Sequence, residues 1–546
     1  MIARRRRGSA VPDTKFTIPH RIMAAASAHG DAVAIRGEDG AEVRYRDLEP
    51  LVRGVAKAFI AAGVAGGDRV AIWAPNATGW IIAAIGAQAA GAAIVPLNTR
   101  LKGREAGYIL RTSGAKLLLT VADFLGTAYP QLLAGEYLPD LRDIVLLEGD
   151  EGGLPWQDFL DRGAALSDDA VDARMDALDA DQVCDILFTS GTTGNPKGAV
   201  TTHGQNVRLY LAYGETLGYG PGDTFLIINP FFHSFGYKAG WLVALMRGAT
   251  VLPHAIFQTD KVLERIERER VTLLPGPPTI FQSLLAGPYE RFDISSLRVS
   301  ITGAASVPVA LIEEMHEKLG IDVVLTAYGL TETCGTVTMC SVGDDAATVA
   351  NTAGRPLEGV EVKLIDAAGE VVAPGEAGEL LVRGPNVMQG YFNDPAATAA
   401  AIDSDGWLRT GDIAVQDARG NVKITDRAKD IFIVGGFNAY PAEIEGLLAA
   451  NPAVMQSAVI GVPDERLGEV AKAYIVLRPG ASATPEEIIA WCRDNMANYK
   501  VPRRVAILDE LPMNASGKVQ KFLLRDAGEE KRPESAKKPT YPSSSP

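Results

Sequence analysis

The stretch ILFTSGTTGNPKGAV, Ile186 to Val200, carries a β-rich run into a loop of small, hydroxylated and basic residues. Gly191, Gly194 and Gly198 let the backbone turn tightly and bring N–H groups towards an anion, while Thr189, Ser190, Thr192 and Thr193 add hydroxyl donors and Lys197 adds positive charge. Together they can cradle a polyphosphate. The loop is not a Walker A motif, because GxxxxGK[ST] requires glycine where Pro196 stands and a hydroxyl where Gly198 stands. A short Gly/Ser/Thr match is usually a surface turn; a ten-residue run from Thr189 to Gly198 that includes a lysine favours the phosphate loop.

Around this loop, over roughly the first four hundred residues, short β-branched runs alternate with Ala/Leu-rich amphipathic stretches, the pattern of βαβ units about parallel sheets. RVAIWA, an Ala-rich helix and AAIVPL form one unit; TFLIINP, a helix through WLVALM and ATVLP form another. The apolar run from Gly79 to Leu97 is the nearest thing to a membrane span, but a Gly-rich break divides it, and strand, helix, strand explains it better. Further on, EVKLID, GELLVRG and NVKITD are short strands between Gly, Asp and Pro turn signals, a β subdomain. Beyond Asp426, PAEIEGLLAAN begins with proline as helices do, SAVIGVP and AKAYIVLRP read as strands, and TPEEIIAWCRDNM is a helix capped by Thr484. The expectation is an α/β fold: a large N-terminal domain of parallel and mixed sheets with packed helices and a β subdomain, 1–425, and a small mobile C-terminal α+β domain, 426–528. Residues 529–546, nearly devoid of apolar side chains, are expected to be a disordered tail.

Composition supports this scale. A chain of 546 residues is too long for one binding module at ~150 residues per domain. It is 47% hydrophobic and 22% charged, an ordinary globular balance, and 53 basic against 67 acidic residues give a net charge of −14, which disfavours a nucleic-acid binder. Cys184, Cys334, Cys340 and Cys492 have neither disulfide-framework nor zinc spacing. The arginine-rich start lacks the apolar run of a secretory signal, so a cytoplasmic location is expected.

More motifs follow in order: NPFFHSFG (Asn229 to Gly236), TGAAS (Thr302 to Ser306), AYGLTET (Ala327 to Thr333) and RTGD (Arg409 to Asp412). DRAKDIFIVGGFNAYPAEIE (Asp426 to Glu445) and LPMNASGKVQK (Leu511 to Lys521) complete the set. With the phosphate loop, and over nearly the whole chain, this succession resembles the adenylate-forming enzymes: acyl-CoA synthetases, aryl-CoA ligases, peptide-synthetase adenylation domains and firefly luciferase.

The resemblance implies ATP, Mg²⁺ and coenzyme A, and a carboxylic acid that is adenylated before it meets the thiol. Nucleotide contacts would come from Thr189, Ser190, Gly191, Thr192, Thr193, Gly194 and Lys197 in the loop, from Gly303, Ala304 and Ala305, from Tyr328, Gly329 and Thr331, and from Asp412 and Arg427. Asp412 suits ribose hydroxyls, Tyr328 offers a flat face to adenine, and Gly329 allows close backbone approach. Glu332, with Thr189 as a second candidate, would meet Mg²⁺, a hard cation that takes carboxylate oxygen. Lys518 would stabilise charge developing on phosphorus; without the family match it reads as a solvated lysine. His233 resembles the residue that gates the acyl pocket, where a lone histidine among Phe231, Phe232 and Phe235 would otherwise read as packed core. Lys429 resembles the hinge, and Gly435 and Gly436 the wall of the pantetheine tunnel, although a β-turn explains the pair equally well. Tyr499, Lys500 and Arg503 are candidate CoA contacts or a solvated face. A homodimer is left open.

For the acid, INPFFHSFGYKAG, LLPGPPTIFQSLL and IVGGFNAYPAEIE resemble the actinobacterial steroid-degrading ligases of a bicyclic methyl-dioxo-octahydroindene propanoate. Tyr237, Lys238, Pro277 and Phe281 would then line the acyl pocket, with Lys238 or Tyr237 donating to a ring ketone; for Lys238 a solvated position is the equal alternative. A medium- or long-chain fatty acid remains the alternative substrate. A carrier-loading adenylation domain would be followed by a carrier with a modifiable serine; the residues after 530 do not read as one, so that class is not the expectation.

Overall fold

A computed structural model describes residues 16–189, 196–303, 307–427, 430, 432–434, 437–464, 467–496, 498–513 and 519–526. They form two compact units that divide after residue 255, with residues 16–189 and 196–255 in the first. The boundary expected after 425 lies inside the second unit, where a separate sheet begins at Phe432.

In the first unit, the strands Val183–Thr189, Ala93–Pro96, Arg69–Trp73, Leu117–Val121, Asp143–Glu148 and Leu154–Pro155 lie side by side in that order and all parallel. Lys197–Thr202 adds to Val183–Thr189 antiparallel. The run LLLTV of Leu117–Val121 is buried at every position, as a parallel strand covered on both faces must be. The stretch with near-membrane hydropathy is indeed strand, helix, strand: Thr78–Ala89 is buried from Trp80 to Ala89 because it packs within protein. At Gly86 a methyl would come within 2.4 Å of the Val55 side chain, so glycine sets how closely this helix meets Tyr45–Ala61. A second sheet orders Thr224–Ile227, Thr250–Pro253, Val33–Arg36 and Glu42–Arg44. No helix among the described residues is long and apolar enough to cross a membrane.

The helix read through WLVALM is present but kinked just before it, at Gly240. Tyr237–Leu242 is a π-helical turn with Gly240 at φ −99°, ψ −108°, and a regular helix follows only at Val243–Arg247. A side chain at Gly240 would meet the Phe235 carbonyl at 3.1 Å, so the chain kinks where glycine lets two backbones approach.

In the second unit, Val299–Gly303 and Val323–Tyr328 are parallel, and Thr338–Met339 and Arg355–Pro356 extend their sheet antiparallel. The strands read from EVKLID, GELLVRG and NVKITD are Glu361–Ile365, Ala377–Arg383 and Val422–Arg427, with Leu408–Gln416 among them in an antiparallel sheet. From Phe432 on, Phe437–Ala439, Phe432–Val434, Gly468–Leu477 and Val454–Asp464 pair in turn, and Arg504–Ile507 joins Gly468–Leu477 in parallel. The helices Pro441–Leu448 and Pro485–Asn495 start at their prolines, the second under a reciprocal Thr484/Glu487 cap. Phe432, Ile444, Leu448, Val459, Ile475, Ile488 and Leu524 form a core of their own.

Candidate active site

The second unit brings the nucleotide motifs together by topology. Gly303 and Ala327 are register partners at the carboxyl ends of two parallel strands, the edge where open α/β sheets place ligands. Tyr328 follows directly. Its hydroxyl donates to Asp412 Oδ2 at 2.6 Å, joining the expected adenine and ribose residues across 84 positions of sequence. Asp412 is only 2% exposed, and its strand pairs it with Arg427 in register. The loop after Tyr328 is tightly closed: Val337 N–H donates to the Tyr328 carbonyl at 2.7 Å and Gly335 N–H to the Leu330 carbonyl at 2.8 Å. A methyl on Gly329 would lie 2.2 Å from the Gly335 carbonyl oxygen, so only glycine fits.

Glu332, with Thr331, is half-buried in a short 3₁₀ turn, Thr331–Thr333. Its Oε1 accepts from the Tyr391 hydroxyl at 2.9 Å and its carbonyl accepts from Met388 N–H at 2.8 Å. Tyr391 carried no signal in the sequence. Among the described residues there is no cluster of three metal-ligating side chains; a Mg²⁺ that arrives on ATP needs one carboxylate and the phosphates, and Glu332 Oε2, which accepts no hydrogen bond among the described residues, suits that demand. The segment bearing Pro277 reaches the same sheet: Gly276 N–H donates to the Ile301 carbonyl at 2.9 Å. Pro277 is half-buried and precedes the Pro278–Ala286 helix, in which Phe281 is fully buried.

In the first unit, Thr189 and Lys197 are register partners, and the Thr189 hydroxyl donates to the Lys197 carbonyl, which holds the two ends of the phosphate loop side by side. Ser190, Gly191, Thr192, Thr193 and Gly194 lie outside the described residues, as do Ala304, Ala305, Lys429, Gly435, Gly436 and Lys518. His233 caps the turn Ser234–Gly236, its Nδ1 accepting from Phe235 N–H at 3.2 Å. A residue the motifs did not single out organises this segment. Asn76 donates through Nδ2 to the carbonyls of Asn229 at 3.0 Å and His254 at 3.1 Å, and accepts from Phe231 N–H at 2.8 Å. Its one cue was an asparagine shortly after the strand Arg69–Trp73.

Tyr237 and Lys238 correct the sequence reading. Lys238 is neither solvated nor a donor aimed at a ketone: it is fully buried, with Nζ bonded to Asp185 Oδ1 at 3.0 Å and Thr201 Oγ1 at 2.9 Å. Asn206 completes the cluster on Asp185 Oδ2 at 3.1 Å. Tyr237 is equally buried, stacked on Trp241 and accepting from Gln88 Nε2 at 3.0 Å; burial, then the Asp185 charge, holds its hydroxyl protonated well above the ordinary range. Of the candidate CoA contacts, Lys500 donates to Glu443 and Arg503 to Asn498.

The chain belongs to the AMP-binding enzymes: that family's model matches residues 22–392, and the model of the AMP-binding enzyme C-terminal domain matches 443–518. Within it, the chain is 47% identical over 518 residues to the 3-[(3aS,4S,7aS)-7a-methyl-1,5-dioxo-octahydro-1H-inden-4-yl]propanoyl:CoA ligase of Rhodococcus jostii, covering 93% of this chain and 98% of the relative. It is 50% identical over 485 residues to the ligase of the same name from Mycobacterium tuberculosis, covering 88% and 93%. ATP-bound MatB from Rhodopseudomonas palustris has a similar structure, with a TM-score of 0.84, 30% identity and coverage of 94% of this chain and 99% of that one.

Proposed function

We propose that this chain ligates the bicyclic propanoate named in its two steroid-type relatives to coenzyme A, by way of an acyl adenylate. The observation that carries the reading is identity of 47% and 50% to those ligases over most of the chain. In the first half-reaction a carboxylate oxygen attacks the α-phosphorus and pyrophosphate leaves; in the second the CoA sulfur attacks the acyl carbon and AMP leaves, the thiol proton passing to solvent. Bringing two anions together requires donors aimed at phosphorus. Lys518 and Lys197 supply positive charge, Asp412 holds the ribose hydroxyls, Tyr328 lies against adenine, and Gly329 lets backbone come close. Glu332 would hold the Mg²⁺ that neutralises the triphosphate. His233 gates the thiol's path to the acyl carbon. Because Lys518 and the pantetheine arm need the same space, we assign Lys429 as the pivot that lets the C-terminal region present Lys518 first and Gly435 and Gly436 second. The four cysteines are free, which suits a reducing compartment, and the cytoplasm is the location we infer.

The test is a panel of acids, the bicyclic propanoate, octanoate, palmitate and cinnamate, scored by CoA-dependent AMP release. The bicycle should give the highest kcat/KM; faster turnover of a straight-chain fatty acid would replace the substrate while leaving the ligase. Lys518→Ala should abolish adenylate formation yet spare thioester formation from supplied acyl adenylate, whereas equal loss of both would sink the two-state scheme.

A further inference from the structure

The segment GYFNDPAAT, Gly390 to Thr398, was absorbed by no motif, yet it is built with unusual care around one side chain. Asp394 Oδ1 accepts from Ala397 N–H at 2.9 Å and so caps the helix Pro395–Ala401, which begins with proline. From that helix, Thr398 Oγ1 accepts the Tyr391 N–H at 2.9 Å while donating to the Asp394 carbonyl at 2.8 Å. Gly390, at φ 146°, leaves no room for a methyl, which would meet the Thr398 side chain at 2.7 Å. The backbone of Tyr391 is therefore pinned by a capped helix, and its hydroxyl meets Glu332 Oε1 at 2.9 Å. Asn393, in the left-handed region at φ 54°, makes the turn between them.

We infer that Tyr391 is a positioning residue for the metal–ATP complex: by donating to Glu332 Oε1 it fixes the carboxylate so that Oε2 faces the cation. The inference rests on the reading of Glu332 as the Mg²⁺ ligand. Physically it is the outer-shell rule for hard-cation sites, where a ligating carboxylate is itself hydrogen-bonded and loss of that partner costs affinity. A tyrosine serves where a lysine would not: it orients the carboxylate without neutralising the charge that the cation needs.

The experiment measures Mn²⁺ binding to the full-length enzyme in the presence of a non-hydrolysable ATP analogue, by the electron paramagnetic resonance signal of free Mn²⁺. Tyr391→Phe, which removes one oxygen and keeps the ring, should weaken Mn²⁺ about 10- to 100-fold. Glu332→Gln should weaken it at least as much, and the double variant should be no worse than Glu332→Gln alone, because the hydroxyl acts only through that carboxylate. Thr398→Val, which frees the Tyr391 N–H, should move affinity in the same direction. If Tyr391→Phe leaves Mn²⁺ affinity unchanged while Glu332→Gln weakens it, the positioning role is overturned and the metal reading survives. Additive losses in the double variant would equally overturn it, since a general structural effect does not require Glu332. Unchanged affinity in Glu332→Gln would remove the metal reading and this inference with it.

Discussion

His203 is the first residue of the helix His203–Leu217, is wholly buried, and accepts the Ile18 N–H on Nδ1 at 3.3 Å, so the neutral ring carries its proton on Nε2. Burial, and then the charge of His20, push its pKa from the ordinary 6.5 down to about 3. A depressed pKa means the folded chain binds fewer protons than the unfolded one between those values, so this residue's contribution is intact above 6.5 and is lost as pH falls towards 3. At pH 5.5 the loss should be on the order of 1 kcal/mol relative to neutrality. Urea unfolding at pH 7.5 and 5.5 checks it: the wild type should lose stability that His203→Gln retains, and parallel losses in both would place the acid sensitivity elsewhere. Gly329 is expected from its place after Tyr328 to let backbone come close to a nucleotide; what the structure shows is a close approach within the loop itself, since a methyl there would lie 2.2 Å from the Gly335 carbonyl oxygen.

Among elements, the turn Tyr237–Leu242 joins the His233 segment to the strand Val183–Thr189 through the buried pair Lys238–Asp185. Lys238→Met would leave Asp185 charged and unpaired in the interior, a cost of ~3–5 kcal/mol, whereas Lys238→Met with Asp185→Asn should recover most of it. Urea midpoints of the single and double variants decide this, and a single variant as stable as wild type would mean that the pair does not hold the turn. Nothing in GYKAG distinguishes a solvated lysine from a buried one, because the partner stands 53 residues away. The same separation hid Asn76, whose bonds to Phe231 and Asn229 span 155 and 153 residues. By contrast, the helix at Pro485 was readable to its cap, since Thr484, Pro485 and Glu487 are local signals.

For the molecule as a whole, the chain from Phe432 onward has its own sheet, helices and apolar core. An isolated fragment of residues 426–528 should therefore fold and melt cooperatively. A dispersed amide spectrum and a sigmoidal thermal transition are the expected result; a broad, non-cooperative melt would show that this region needs the rest of the chain. Composition alone foresaw a protein of this size with placed donors for anionic ligands. With a net charge of −14, ATP and CoA must meet a few positive groups in an acidic chain rather than a basic surface.

The order of motifs, the alternation of strands and helices and the small C-terminal α+β region were determined by the sequence itself, because periodicity, caps and turn chemistry are local. Which polar groups meet was decided only in the tertiary structure. Tyr328 on Asp412, Tyr391 on Glu332 and Lys238 on Asp185 are contacts over 84, 59 and 53 residues. Each depends on how sheets and turns bring distant backbone together, and on burial that turns an ordinary lysine or tyrosine into a fixed partner.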